Sequence, residues 1–434
     1  MVNSPEPQSH TPFLRLAPIV LVALVLRLVA VGFLYPDRLS PDRAHAHFAG
    51  ETGRIAQSLV EGKGFSSPMV TPADTGPTTW MSPIYPALVA LSFRLFGEYS
   101  RGAAIFMLSL NSIFSALACL PVFFMARRTF GETAALRAGW VWALFPYGIY
   151  FSSATIWPTS LSTFLLPLAF AAGLRLEDSP RLRDWIGFGL TSGIAAMNDP
   201  IVVSVLPLVG LWMWYRKWRR GGRWFLPGAA AALAFIAVVS PWFVRNYRTF
   251  HKIIPFRGNF GLELYVGNNG ETSHWNAEYL HPAHSDREWQ EYVTLGEVRY
   301  MQRKQDQAME FISHHKGLFV WLSFRRALYM WTNYWSFSPA YLQQEPFDIP
   351  AAFLCTTLTV FALWGLWIGW RSLGAPVIPY AIALFFFPMV YYVTHPEDYY
   401  RRPVDPLFIV LAVYAVTVLL NRRKSRAGLR GATN

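Results

Sequence analysis

The stretch FAGETGRIAQSLVEGKGFSSP, which begins at Phe48, places a carboxylate and a guanidinium on an amphipathic segment. Its apolar residues, Ile55 among them, fall on one side of a helix, and Glu51 and Arg54 fall on a neighbouring side. Two interpretations are open. Either Glu51 and Arg54 form an ordinary surface pair at i and i+3, or Glu51 is a carboxylate held for proton transfer.

Two aspartates are further candidates for chemistry. Asp42, in SPDRAH, precedes Glu51 by nine residues and supplies a second carboxylate for a general base. Asp199, in AAMNDPIVV, lies between two apolar runs and directly before Pro200. Because proline is favoured as the first residue of a helix, Asp199 either caps that helix or lines a site.

Cationic side chains begin the last apolar run of the chain. Arg401 and Arg402 follow Tyr400 and precede Asp405, an acidic residue at a depth where it needs a partner. Arginine suits phosphate because its planar guanidinium donates parallel hydrogen bonds, although an arginine at the end of a span also reaches lipid headgroups. We expect phosphate or sugar binding here, with headgroup contact as the alternative.

Other polar candidates lie elsewhere along the chain. Arg257 precedes Asn259 and Glu263, and this set is predicted to line a sugar site. Arg27 lies within the first apolar run, where we expect it to face protein, substrate or headgroups rather than acyl chains. Several histidines occur in loops, but no HExxH motif is present. The sequence predicts no defined metal ligand, and a divalent metal stays possible as a cofactor.

Membrane helices must position these residues. The chain has 434 residues, 53% hydrophobic and 15% charged, whereas a soluble domain carries about a quarter charged residues. A helix needs about 20 apolar residues to cross a bilayer. The sequence predicts one all-α polytopic membrane domain, residues 1–434, with about ten transmembrane helices. These are expected at Ala17–Leu34, Ala103–Met125, Ala134–Phe151, Trp157–Leu174, Trp185–Met197, Ile201–Trp214, Trp224–Val244, Ala351–Trp370, Pro376–Val393 and Pro403–Leu420.

Positive charge sets the predicted topology. The net charge is +12, but the basic clusters lie at the ends of spans, which indicates membrane orientation rather than binding to nucleic acid. Cytoplasmic flanks collect such residues, so both termini are predicted to lie inside. The outer face then receives two long loops with interfacial helices, about 35–101 and 245–350, and a short loop, about 394–402.

Three motifs, which follow one another along the chain, together resemble those of a known protein family. The first loop has Glu51 ahead of an A-x-S-L helix, then G-x-G-F-S-S-P and T-x-W-x-x-P-x-Y-P, which ends at Pro86. The others are SPWFVRNYRTFHKIIPFRGNFGLELYVGNN from Ser240 and HPEDYYRRPVDPLFIVLA from His395. Together they resemble the polytopic GT-C glycosyltransferases. The nearest grouping is the family 39 set, with the protein O-mannosyltransferases and the aminoarabinose transferase of lipid A.

The resemblance implies a reaction and its partners. The reaction is inverting transfer of a sugar from a polyprenyl-phosphate donor to a hydroxyl of a glycolipid or protein, at the outer face of a bacterial inner membrane. Glu51 takes the acidic position of the motif and is the first candidate for the base, with Asp42 second. Many relatives carry an adjacent acidic pair in this loop, and this chain has none. That departure leaves the catalytic carboxylate and any metal open.

Two other classes of protein fit the same composition. A transporter or flippase of lipid-linked sugars places ionisable groups near the middle of the membrane and often has inverted repeats. Here the ionisable groups crowd the outer ends of the spans and no repeat is evident, which favours an enzyme. A non-catalytic subunit of a membrane assembly is the third alternative, because the acidic pair is missing.

Overall fold

The computed structural model describes residues 12–33, 48, 50–69, 74–222, 224–272, 277–344 and 348–431. Asp42 lies outside these described residues. Within them, every regular element is a helix, apart from one isolated bridge between Ser66 and Pro77. The predicted all-α class is therefore confirmed.

The described residues up to 222 form ten α-helices. They are α1 (Pro12–Phe33), α2 (Glu51–Val60), α3 (Ile84–Phe96), α4 (Arg101–Leu117), α5 (Cys119–Phe130), α6 (Glu132–Ala143), α7 (Pro146–Ala154), α8 (Thr159–Arg175), α9 (Leu182–Asn198) and α10 (Leu206–Arg219). A 3₁₀ turn, Pro200–Ser204, joins α9 to α10.

The rest of the described chain adds a long helix, a group of loop helices and a final set of apolar helices. They are α11 (Phe225–Phe250), α12 (Phe260–Gly267), α13 (Asp286–Leu295), α14 (Glu297–His314), α15 (Lys316–Thr332), α16 (Pro339–Gln344), α17 (Asp348–Leu373), α18 (Ile378–Phe386), α19 (Met389–Val393) and α20 (Asp405–Gly431). A 3₁₀ turn, Arg402–Val404, leads into α20.

The protein is an integral membrane protein. Six helical segments of the described chain are long and apolar enough to cross a bilayer: Leu14–Phe33, Arg101–Phe130, Phe225–Phe250, Asp348–Leu373, Ala375–Val393 and Arg402–Arg422. The other four predicted spans coincide with the shorter helices α6 to α10. Pro146, Pro158 and Pro200 stand between these pieces, because proline lacks the N–H that would continue a helix.

The bundle has two chemically different ends. At the basic end, Arg216 and Arg220 contact Glu177 at 2.5 and 2.7 Å, just after the last residue of α8. The first residue of α8, Thr159, lies about 25 Å away along the helix. The C-terminus of α9 lies beside that first residue, because Asn198 Nδ2 is 3.5 Å from the carbonyl oxygen of Pro158.

Two glycines bring α9 close to α11. A Cβ added at Gly189 would lie 2.1 Å from the carbonyl oxygen of Ala231, and one at Gly193 would lie 2.8 Å from Cβ of Val238. Small residues four apart permit such close helix contact in membranes. The contact fixes the C-terminal part of α9, which carries Asn198, against α11.

Glu297 joins the two long loops. It begins α14, and its buried carboxylate accepts hydrogen bonds from Thr78 Oγ1, from the backbone N–H and Oγ1 of Thr79 at 2.7 Å each, and from the Tyr292 hydroxyl at 3.2 Å. A buried carboxylate is stable only with such partners. The bonds hold the segment around Trp80 against the helices of the second loop.

The orientation of the two ends is testable by thiol labelling, since the native Cys119 and Cys355 are buried. Lys63→Cys and Arg287→Cys place thiols at exposed positions in the long loops, and Arg219→Cys places one at the basic end. If the basic end faces the cytoplasm, a membrane-impermeant maleimide added to intact cells labels the first two variants only. All three variants label in lysed membranes. Labelling of Arg219→Cys alone in intact cells contradicts the topology.

Candidate active site

A cavity of about 520 Å³ opens at the end of the bundle opposite the basic end. Its wall takes residues from both long loops, from the connection between α9 and α10, and from the segment before α20. This volume falls in the range of small-molecule sites. The predicted site residues that line it are Glu51, Asp199, Arg257, Asn259, Glu263 and Tyr400.

Glu51 is the first residue of α2, where the unpaired N–H groups of a helix favour a carboxylate. His281 Nε2 lies 3.8 Å from Glu51 Oε1. The backbone N–H of Ala283 donates to His281 Nδ1 at 3.1 Å, so the ring proton sits on Nε2, the nitrogen nearer Glu51. Burial lowers the pKa of His281 to about 4. A neutral imidazole therefore stands beside the carboxylate.

Arg54, the predicted surface partner of Glu51, contacts other groups as well. Its Nη1 donates to Gln57 Oε1 at 2.7 Å, and its Nε donates to the carbonyl oxygen of Met69 at 3.0 Å. These bonds tie the segment that follows α2 back onto the helix. The guanidinium thus has a structural function beside any contact with Glu51.

Glu263 and His395 form an ion pair in the cavity wall. His395 Nε2 donates to Glu263 Oε2 at 2.7 Å, and Asn259 Nδ2 donates to Glu263 Oε1 at 2.6 Å. Burial raises the pKa of Glu263, but the hydrogen bond and charge of His395 outweigh it and lower the pKa to about 2. Burial lowers the pKa of His395, but Glu263 and Glu397 raise it to about 9. At neutral pH the pair is ionised.

Arg257 presents cationic donors to the cavity. Its Nε donates to the carbonyl oxygen of Trp80 at 2.9 Å, which fixes the plane of the guanidinium. Within the described residues, its two Nη atoms make no hydrogen bond to protein. They are placed to donate in parallel to an anionic ligand.

Asp199 both caps the 3₁₀ turn that follows it and lines the cavity, which were the two alternatives left open by the sequence. Its Oδ1 accepts a hydrogen bond from the backbone N–H of Ile201 at 3.4 Å, as an N-cap does. Its Oδ2 accepts a hydrogen bond from Ser162 Oγ at 3.1 Å, and the residue also lines the cavity. Burial raises the pKa of Asp199, while the charge of Arg257 opposes that rise.

Aromatic rings form another part of the wall. Tyr400 stacks on Tyr391 with ring centroids 4.5 Å apart, and Tyr399 meets Trp157 edge to face at 5.6 Å. Burial raises the pKa of Tyr400, so its hydroxyl is protonated and can donate a hydrogen bond.

The structure places Arg401, Arg402 and Asp405 outside the cavity lining. Arg401 Nε donates to Asp405 Oδ1 and Arg402 Nη1 donates to Asp405 Oδ2, each at 2.8 Å. Arg402 also lies 3.6 Å from the ring centroid of Tyr147 and donates to the carbonyl oxygen of Asp398 at 2.7 Å. This buried cluster anchors the start of α20. Phosphate binding by the two arginines stays an untested prediction, and their contacts give them a structural role.

Arg27 also lies away from the cavity. It is fully buried and donates to Ser115 Oγ at 2.8 Å and to the carbonyl oxygens of Ala23 and Ala143 at 2.9 Å each. The expectation that it faces protein fits these contacts. Substrate binding by Arg27 stays an untested prediction, and the distance of Arg27 from the cavity lining does not favour it.

Sequence reasoning passed over several cavity residues. His395 is the first residue of the motif HPEDYYRRPVDPLFIVLA, but its position in the sequence does not indicate a pair with Glu263, 132 residues away. His281 was one loop histidine among several, and only the fold brings it near Glu51. In the described part of the chain, no three His, Cys, Asp or Glu side chains are grouped as metal ligands.

Comparison with known proteins identifies the architecture. A profile of the family described as dolichyl-phosphate-mannose-protein mannosyltransferase matches residues 80–244. The Archaeoglobus fulgidus oligosaccharyltransferase, solved with Zn and sulfate, has a TM-score of 0.55 at 13% identity, over 96% of this chain and 50% of that chain. AglB from Archaeoglobus fulgidus, with an inhibitory peptide and a dolichol-phosphate, has a TM-score of 0.54 at 14% identity, over 97% and 52%. The chain has the GT-C fold.

The similarity to the two archaeal structures concerns the fold, and it covers only part of each of those chains. The chain spans about half the length of the solved structures that it matches. ArnT from Cupriavidus metallidurans, bound to undecaprenyl phosphate, has a TM-score of 0.49 at 16% identity, over 94% of this chain and 61% of that chain. No curated protein matches the sequence. The predicted GT-C resemblance is confirmed at the level of the fold.

The Arg401–Arg402–Asp405 cluster predicts a loss of stability on substitution. Asp405→Asn leaves two buried guanidiniums without their counter-charge, and breaking a buried ion pair costs about 3–5 kcal/mol. The thermal midpoint of the detergent-solubilised protein should fall clearly, whereas Arg257→Gln, at the cavity wall, should change it little. An unchanged midpoint for Asp405→Asn, together with weaker donor binding, would place the cluster in the site.

The Glu263–His395 pair predicts a dependence of stability on pH. Because the pKa of His395 is raised from 6.5 to about 9, its contribution is complete below pH 6.5 and is lost as pH rises through about 9. The thermal midpoint should therefore fall across that interval. His395→Gln removes the titrating group and should flatten this part of the curve. An equal slope in the variant would assign the effect to another group.

Proposed function

We propose that this protein is a membrane glycosyltransferase that moves a sugar from a polyprenyl-phosphate donor to an acceptor hydroxyl, with inversion at the anomeric carbon. The observation that carries the proposal is the cavity, whose lining includes a carboxylate at a helix N-terminus and a guanidinium whose Nη atoms make no hydrogen bond to the described residues, at the end of the apolar bundle. A lipid-linked substrate needs such a position, because its chain stays in the bilayer while its headgroup reacts in a polar site.

Glu51 is the proposed general base. It takes the proton of the acceptor hydroxyl while that oxygen forms the new bond to the anomeric carbon. The bond from that carbon to the phosphate oxygen breaks, and the electron pair leaves with the polyprenyl phosphate. His281 Nε2–H lies 3.8 Å from Glu51 Oε1, and its neutral imidazole places no positive charge beside the carboxylate. Asp42 remains the second candidate for the base.

Arg257 is the proposed partner of the phosphate. Charge builds on the phosphate oxygens as the sugar leaves, and donors already aimed at that position stabilise the transition state. The hydrogen bond from Arg257 Nε to Trp80 leaves both Nη atoms for this purpose. Glu263 and His395 lie in the same wall as a fixed ion pair, so they add polarity without net charge.

The donor and acceptor classes follow from fold and position. The AglB structure that superposes on 97% of this chain holds a dolichol-phosphate and an inhibitory peptide, which supports a lipid-linked donor here. We propose that the cavity faces outward from a bacterial inner membrane, because the arginine clusters lie at the opposite end. The acceptor is a glycolipid or a protein. A divalent metal is not needed for the roles assigned to Glu51 and Arg257.

Glu51→Gln tests the proposal most sharply. The variant keeps the size of the side chain but cannot accept a proton, so turnover should fall by about 10²–10⁴-fold. The measurement is the release of free polyprenyl phosphate from labelled polyprenyl-phosphate hexoses, at matched protein levels. Donor binding should survive, because Arg257 is unchanged.

Two controls accompany this variant. Arg54→Gln keeps the carboxylate, so turnover should stay within a few-fold of the wild type. Asp42→Asn tests the second candidate, and loss of turnover in that variant alone would move the base to Asp42. If neither carboxylate matters and the donor still binds, the protein transports the lipid or serves as an assembly subunit.

A further inference from the structure

Two oxygen atoms in the cavity wall lack hydrogen-bond partners among the described residues. A nitrogen of the wall, His395 Nδ1, also lacks such a partner but lies 3.5 Å from the carboxylate of Glu397. Within the part of the chain that the structure describes, Ser82 Oγ and Asn198 Oδ1 make no hydrogen bond to protein, although both residues are buried, at 3% and 4% exposure. Both line the cavity. Buried polar groups are nearly always hydrogen-bonded, so two such oxygen atoms in one wall point to a ligand that supplies the bonds.

The orientation of the Asn198 amide is fixed by its own donors. Its Nδ2 donates to Ser162 Oγ at 2.9 Å and lies 3.5 Å from the carbonyl oxygen of Pro158. Because that carbonyl can only accept, the NH₂ group must face it and Oδ1 must face away. Ser162 in turn donates to Asp199, which ties the amide and the carboxylate into one network.

One apolar cluster brings the two atoms to the same wall. Met197, next to Asn198, belongs to a buried apolar cluster. Ile84, two residues after Ser82, and Phe256 pack against this cluster. Phe256 precedes Arg257, the proposed phosphate ligand. The polar residues on these three segments therefore lie near one small apolar cluster.

The chemistry of Oδ1 selects the ligand. An amide oxygen only accepts hydrogen bonds, so its partner must carry a hydrogen on oxygen or nitrogen. A phosphate diester at neutral pH has no such hydrogen, whereas a sugar ring has several hydroxyls. We infer that Ser82 and Asn198 form a subsite that binds hydroxyls of the donor sugar and so contributes to the choice of sugar. This inference rests on the proposed function, since it names the part of the donor that meets this wall.

The binding affinities of three lipids test the subsite separately from the rest of the cavity. Undecaprenyl phosphate carries the phosphate without a sugar, and undecaprenyl-phosphate glucose and mannose carry both. Ser82→Ala and Asn198→Ala should each weaken binding of the sugar-bearing lipid that the wild type prefers by about 5–10-fold, the effect of one lost hydrogen bond. Both should bind undecaprenyl phosphate as the wild type does. Ser82→Ala should also fold normally, since its Oγ has no partner in the described residues.

Ser192→Ala is the matched control. Ser192 lies on α9 with Asn198, and its buried Oγ likewise has no partner in the described chain, but it does not line the cavity. It should bind all these lipids as the wild type does. A second arm compares the preferred lipid with deoxy versions of its sugar. The analogue that lacks the bound hydroxyl should bind the wild type more weakly and bind Ser82→Ala or Asn198→Ala no worse than the parent lipid.

The outcomes are distinct. Unchanged binding of every sugar-bearing lipid to both variants overturns the subsite and assigns the two atoms to water only, while the proposed function stands. An equal loss of affinity for lipids with and without a sugar also overturns the subsite, because the two substitutions would then affect folding or phosphate binding rather than sugar binding. Failure of the wild type to bind any of the lipids overturns the proposed function together with the subsite.

Discussion

The buried carboxylate of Glu297 connects parts of the chain that are 218 residues apart, and the cavity depends on that connection. The carboxylate of Glu297 accepts a hydrogen bond from the backbone N–H of Thr79. The carbonyl oxygen of the next residue, Trp80, accepts the hydrogen bond that orients Arg257. Arg245 adds a bond of 2.7 Å from Nη1 to the carbonyl oxygen of Thr78. Burial raises the pKa of Glu297, while the threonine hydrogen bonds favour its charged form. One acidic side chain thus aligns the first loop with the second.

Charged groups in this protein divide into two kinds. Arg27 and the Arg401–Arg402–Asp405 cluster are buried, and protein atoms accept hydrogen bonds from most of their donors, as a low-dielectric interior requires. Within the described residues, Arg401 Nη2 is the exception in the cluster. Arg257 and Glu51 instead line the cavity. Depth and hydrogen-bond partners, rather than charge alone, distinguish a structural arginine from one placed to bind a ligand.

The sequence can predict the helices and the polar candidates, but it cannot predict which charged groups are paired in the fold. Apolar run lengths indicated where the helices lie, because hydrophobicity acts locally along the chain. The motif residues Glu51, Arg257, Asn259 and Glu263 do meet at one cavity, as expected of polar residues at the same ends of spans. The sequence did not separate Arg401 from Arg257, since both are arginines near the end of an apolar run. Only the fold shows that Arg401 pairs with Asp405 and lies outside the cavity lining. The pairing of His395 with Glu263 was likewise out of reach, because it depends on how distant loops pack.

The central claim is that this cavity breaks the bond between a sugar and a lipid phosphate. The most direct measurement incubates the purified wild-type protein with a labelled polyprenyl-phosphate sugar and a membrane extract that contains acceptors, and follows both halves of the donor. The account predicts that free polyprenyl phosphate appears in step with labelled sugar on an acceptor. Recovery of the donor intact, whether bound to the protein or moved across a vesicle membrane, would contradict it.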